Sequence, residues 1–315
     1  MIHEFALEPT AISNWKDFRY FYDNFGIEHG RLISCFPRKW LKMVYEACNE
    51  CSDMEKKRIE EKLKSMKGNK LFSFERPYND NPKNTWLKNA EEQHLNRPFR
   101  AIVSSDNPRN HSEVLIAGDI DESTPLWSVK RGQKVPRTEA DLSRCASMLL
   151  AISEEVLFVD PHFEFIGKKN GKPIFRFTKT LERLIAFAIQ GKVPKRIELH
   201  VKHENDSEKN KKESLERWHR DCQMRLPEMI PSGHSMTVIK FTRKSMTSEK
   251  IHPRYVLTEK GGLQYDVGID TGLEGETTDV TLLDRLHYED RWSDYQKETS
   301  AFTIVDEFVV SGKSS

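Results

Sequence analysis

The sequence predicts an α/β protein, a mixed sheet flanked by helices, with an N-terminal α/β region followed by a C-terminal sheet domain. Over the second half, short β-rich runs alternate with stretches of helical apolar spacing, the signature of helices layered on a sheet. A glycine pair, Gly261-Gly262, lies between two extended runs and marks a hairpin within that sheet. The chain has 315 residues, 37% apolar and 31% charged, enough for a core and for two domains of ordinary size.

Taken in order, residues 1–95 read as mainly helical. Leu41, Val44, Tyr45 and Cys48 recur at i, i+3, i+4, i+7, and the stretch Trp40 to Cys51 is expected to be helix. Ser52-Asp53-Met54-Glu55 has the form of a capping box opening a charge-rich helix, Lys56 to Lys67. The run from Glu75 to Asn96, with Pro77 and Pro82 among asparagines, is expected to be loop. Strand-like runs follow at Phe99 to Ser104 and Glu113 to Gly118, so residues 1–135 are read together as one α/β region. The segment Gly132 to Pro136 is taken as the boundary.

Beyond it, Thr138 caps a helix running to about Ser153, and Val156 to Asp160 is a strand stopped by Pro161. Leu181, Leu184, Ile185 and Ala188 define a helix ended by Gly191 and Pro194. A strand at Ile197–Val201, a helix at Lys211–Leu226 and a strand at Met236–Phe241 complete the alternation. The hairpin is expected to turn at Gly261-Gly262 and return along Leu263–Val267.

Composition excludes several classes. Fifty basic and 49 acidic residues give a net charge of +1, so the chain is no histone-like polycation, although a local basic site is allowed. No apolar run approaches the ~20 residues of a spanning helix. Met1-Ile2-His3-Glu4-Phe5 lacks a basic n-region and an apolar stretch, so no secretion signal is expected. Five scattered cysteines argue against a disulfide framework and for a reducing, cytoplasmic setting. Cys48 and Cys51 have half-knuckle spacing but lack a second Cys/His pair, and are read as ordinary helix cysteines rather than a zinc or redox centre. No Walker motif occurs, so nucleotide hydrolysis is not expected. No cofactor or metal is expected.

The chemistry concentrates between Ile251 and Asp270. In an extended chain His252 and Arg254 point to one face. An imidazole can attack phosphorus or relay a proton near neutral pH. The guanidinium fork beside it grips two phosphate oxygens. Gly268 permits close backbone approach and brings Asp270 round toward the start of the hairpin. Lys240, Arg243, Lys244, Lys250 and Arg254 face a single acidic residue, Glu249, between positions 240 and 254, an excess suited to an anionic ligand. Asp160 and His162 stand where a strand ends, the usual place for functional groups in α/β folds.

The order of these elements, with His252-x-Arg254-x4-Glu259 and then Gly268-x-Asp270, resembles the phospholipase D-like superfamily, whose signature is H-x-K-x4-D with a glycine-containing turn. The likeness extends to the phospholipase D-like C-terminal domain of proteins carrying a microtubule-interacting-and-transport module, and Val159-Asp160-Pro161-His162-Phe163 is similar to that fold's first-strand end. It covers residues 138–315 and says nothing of residues 1–135. Arg254 stands where the signature has lysine and Glu259 where it has aspartate. His200-Val201-Lys202 is a second H-x-K, but it is read as a solvent-facing strand end entering a charged loop rather than as a second half-site.

The resemblance implies a phosphate-facing cleft that binds nucleic acid, DNA in the first instance, or another phosphate-bearing ligand. By analogy it also implies a place in a multi-component bacterial antiphage defence complex with a protein partner. The alternative is an active metal-independent phosphodiesterase or nuclease working as a homodimer. There His252 would be nucleophile or acid, Arg254 the phosphate clamp and Glu259 the group that orients His252.

Overall fold

In the computed structural model, which describes residues 1–81, 83–166, 174–203, 208–245 and 253–313, the chain forms two units, Met1–Arg131 and Gly132–Ser315. The first comprises β1 (His3–Leu7), α1 (Trp15–Asn24), β2 (Arg31–Ser34), α2 (Trp40–Ala47), α3 (Asp53–Met66), β3 (Leu71–Phe72), α4 (Trp86–Asn96), β4 (Ile102–Ser104) and β5 (Val114–Ile116). Its five strands are all parallel, in the order β3-β2-β1-β4-β5.

Alternation along the strands divides the core between the two faces of this sheet. Phe5, Leu7, Ile33 and Val103 pack with Phe18, Phe21, Trp40, Val44 and Ile59 from α1, α2 and α3. Ala6, Ile102 and Val114 face the other way, onto Phe36, Phe99 and the α4 residues Trp86, Leu87 and Ala90. The helical reading of residues 1–95 is therefore corrected by three strands within it. A parallel strand covered on both faces shows no period of two: four of the five β1 residues are buried. The segment Glu75 to Asn96 is likewise not all loop. Thr85 accepts a hydrogen bond from the Lys88 N–H at 3.2 Å and starts α4.

The helix expected from Trp40 to Cys51 stops at Ala47, and its buried face is Trp40, Val44 and Cys48, with Tyr45 exposed. The Ser52/Glu55 capping box forms in both directions. Cys48 and Cys51 direct their thiols to adjacent carbonyls, those of Ile12 and Ser13. Burial pushes the Cys48 thiol up to about 12, which keeps it protonated.

The second unit comprises β6 (Gly132–Pro136), α5 (Glu139–Ile152), β7 (Glu155–Val159), α6 (Phe175–Ile189), β8 (Arg196–Lys202), α7 (Glu208–Met229), β9 (Ser235–Arg243), β10 (Arg254–Thr258), β11 (Gly261–Tyr265), β12 (Thr277–Leu282), α8 (Arg285–Asp294) and β13 (Phe302–Ser311). They build one mixed eight-stranded sheet, β13-β9-β8-β7-β10-β11-β12-β6. β7, β8 and β9 are parallel, and every other neighbouring pair is antiparallel. Gly132 to Pro136, read as a boundary, is thus an edge strand of this sheet paired with β12.

The hairpin turns two residues earlier than expected. Thr258 pairs with Gly261 and Leu257 with Gly262, leaving Glu259-Lys260 as the turn. Gly262 is required for packing instead, since a Cβ there would lie 2.6 Å from Leu257 Cδ2. No helix among the described residues is long and apolar enough to cross a membrane.

Candidate functional site

Because β7, β8 and β9 run parallel and β10 runs against β7, the carboxyl ends of three strands and the first residue of β10 meet at one edge of the sheet. Open α/β sheets place ligands outside such an edge. The register sets Tyr255 opposite Val159, so Arg254 and Asp160, one residue further in opposite directions, become neighbours.

Asp160 is buried, with 1% of its surface exposed. One carboxylate oxygen accepts the His162 N–H at 2.9 Å, and the other accepts the Ile269 N–H at 3.4 Å. Burial raises its pKa to about 6, with the charge of Asp270 pushing the same way. The two N–H groups and Arg254 oppose the shift. Arg254 Nη1 donates to the Asp266 carbonyl at 3.3 Å, while its Nε is buried with no hydrogen-bond partner among the described residues.

The segment after β11 closes over this pair. Gly268 has φ +147°, and a Cβ on it would lie 2.6 Å from Asp270 Oδ1 and 3.5 Å from Asp160 Oδ2, so only glycine fits between the carboxylates. Asp270 is held on both sides, by Arg137 Nη2 at 2.9 Å and Arg176 Nε at 3.4 Å. Arg137 reaches on to Glu276 at 3.0 Å. Three guanidiniums thus surround two buried carboxylates.

Among the residues selected from sequence, the structure brings together Asp160, Arg254 and Asp270. His162 follows Asp160 as an exposed side chain on the same edge. Arg243, half-buried, and Lys244, exposed, stand at the carboxyl end of β9, two strands away along that edge. His252 and Lys250 lie outside the described residues.

One site assignment needs correction. Glu259 is at the far end of β10, where its carboxylate accepts the Glu154 and Glu155 N–H groups at 2.9 and 3.0 Å. A five-residue strand, about 16 Å long, separates it from Arg254, so it is a hairpin-turn anchor rather than an orienting group. Lys240, also buried, lies level with Asp160, because the rung Val159, His200 and Ile239 is followed by Asp160, Val201 and Lys240. Its ammonium is 4.4 Å from the centre of the Trp218 ring, a cation–π contact with α7.

His200, expected at a solvent-facing strand end, is fully buried. Its Nε2 lies 2.7 Å from Glu198 Oε2, and its ring stacks on Phe241 and meets the edge of Tyr295. Burial holds its pKa below the ordinary histidine range. It is a core histidine.

Sequence reasoning missed Arg137 and Arg176. Each lies over 90 residues from Asp270, and no local spacing links them to it; only the pairing of β6 with β12 and the placement of α6 bring them in.

No protein-family model and no curated protein matches the sequence. Among solved structures, the chain is similar to polyphosphate kinase from Porphyromonas gingivalis at 15% identity and a TM-score of 0.29, over 52% of this chain and 25% of that one. It spans about a quarter of the kinase's length. A second similarity is to TrmBL2, an archaeal chromatin protein whose structure shows a novel mode of DNA binding. There the identity is 12% and the TM-score 0.28, over 85% of this chain and 72% of that one.

Proposed function

We propose that the second unit is a phospholipase D-like module that binds phosphate-bearing ligands, DNA in the first instance, along the carboxyl edge of its sheet. The observation that supports this most is Arg254. It stands half-buried at the start of β10, next to Asp160 in the sheet register, with Nη1 on the Asp266 carbonyl. A guanidinium at the carboxyl edge can turn its remaining Nη donors to an anionic acceptor. Arg243 and Lys244 extend positive charge along the same edge, in line with a nucleic-acid backbone. A setting in antiviral defence is what the family resemblance adds.

The second reading, a metal-independent phosphodiesterase, is favoured by Asp160. A buried carboxyl titrating near 6 exchanges protons close to neutral pH, and His252 would supply the nucleophile or acid.

The two readings separate by mutation. His252→Ala removes the reacting group but leaves Arg254, so in an enzyme it abolishes turnover with little change in affinity. In a binding module His252→Ala matches wild type in every cleavage assay, whereas Arg254→Ala weakens binding under both readings, by about 1.5–3 kcal/mol. Titrations against labelled single- and double-stranded DNA and anionic liposomes, with a parallel cleavage assay, make the distinction. If neither substitution changes anything, the hairpin is only structural and the proposal fails.

A further inference from the structure

We propose a second ligand site, in the first unit: the crevice outside the carboxyl ends of β2 and β3 binds a mononucleotide. The crevice arises from the path of the chain. After β2 it passes to α2, whose Trp40 and Val44 pack on one face of the parallel sheet. After β3 it passes to α4, whose Trp86, Leu87 and Ala90 pack on the other. The strand order β3-β2-β1-β4-β5 reverses between β1 and β4; between β2 and β3 the outgoing connections also part to opposite faces and leave a cleft at the carboxyl edge. A cavity of about 480 Å³ lies between these two connections, within the range of about 300–1,000 Å³ common for small-molecule sites.

Its lining selects the ligand class. Pro37, Pro77 and Tyr78 form an apolar wall. The Tyr78 ring is braced edge-on by Phe36 at 5.2 Å, and its hydroxyl makes no hydrogen bond among the described residues. A flat heteroaromatic ring fits such a wall. At the rim stand Arg38, exposed and without an ion pair among the described residues, and Lys39, held 2.6 Å from Asp80. Arg38 with Lys39 suits a phosphate, and the carboxylate of Asp80 accepts from sugar hydroxyls. Arg76, also in the lining, is fully spent on Glu4, at 2.7 and 2.8 Å, and on the Gln93 and Arg97 carbonyls.

Glu75, at the lip, has φ +52°, a left-handed conformation that side-chain-bearing residues rarely keep outside constrained sites. That turn delivers Arg76 to the buried Glu4 and presents Pro77 and Tyr78 to the cavity.

A dinucleotide is disfavoured by the neighbouring strands. The phosphate position at the end of β1 is filled by the Glu8 carboxylate, which accepts Ser104 Oγ and the Ser105 N–H at 2.8 and 2.9 Å. Pro9, next in sequence, has no N–H to offer a pyrophosphate.

The test is calorimetric titration of the full chain with AMP, GMP, CMP and UMP, and with adenosine, ribose 5-phosphate and inorganic phosphate as partial ligands. At least one mononucleotide should bind below about 1 mM. Removing its phosphate or its base should weaken binding about tenfold or more, as should Arg38→Ala and Tyr78→Leu. Arg254→Ala should leave it unchanged. The proposal is overturned if none of the four mononucleotides binds, or if inorganic phosphate binds as tightly as the nucleotide. It is equally overturned if Arg38→Ala, an exposed substitution whose folding is checked by circular dichroism, binds like wild type.

Discussion

Asp160 carries the most informative single-residue physics. Its folded-state pKa of about 6 lies above the ordinary carboxylate value. The native protein therefore holds a proton between about pH 4 and 6 that the unfolded chain has released, and the group's contribution to stability falls as pH rises through that window. At pH 7 the ionised, buried carboxylate costs on the order of 2–3 kcal/mol. Asp160→Asn removes that cost, so the stability of the variant relative to wild type should rise from pH 4 to 6 and then level off. Urea unfolding of both proteins across pH 4–7 checks this; a difference that stays flat with pH would show that Asp160 does not titrate there. Gly268 belongs with this residue, because it leaves room for the carboxylates of Asp160 and Asp270 to lie close beneath the backbone.

At the scale of elements, the regular half of the chain was legible and the first half was not, for reasons visible in particular segments. α5 announced itself through Thr138, which accepts the Asp141 N–H at 3.1 Å, and α6 through Leu181, Leu184, Ile185 and Ala188, all buried. β1 was hidden because its two covered faces erase alternation, and β3 because it is two residues long. Within the site, the approach of Asp270 to the start of β10 could be read from the hairpin and Gly268. The arginines on Asp270 could not, because strand pairing across more than 130 residues brings Arg137 there. Glu259 misled through motif spacing: x4 after Arg254 is the length of β10 and leads to the turn. Glu259→Ala should therefore destabilise the fold by about 1–3 kcal/mol, the loss of two N–H acceptors, while leaving nucleic-acid affinity unchanged. Urea midpoints and a binding titration read both, and a stable variant with weakened binding would return Glu259 to the site.

For the molecule as a whole, a net charge of +1 means that any attraction to DNA is a property of one edge and not of the entire surface. If the second unit turns substrate over, its single His252 predicts a homodimer as the catalytic form and cleavage that persists in EDTA. Light scattering combined with a cleavage assay checks both, and activity from a strict monomer, or activity lost in chelator and restored by Mg²⁺, would point to a different site. The central claim, that Arg254 meets phosphate at the sheet edge, is tested most directly by the salt dependence of DNA binding for wild type, Arg254→Ala and the control Lys64→Ala on α3. The account predicts that Arg254→Ala flattens the log–log slope by about one while Lys64→Ala leaves it unchanged. Equal slopes for all three proteins would contradict it.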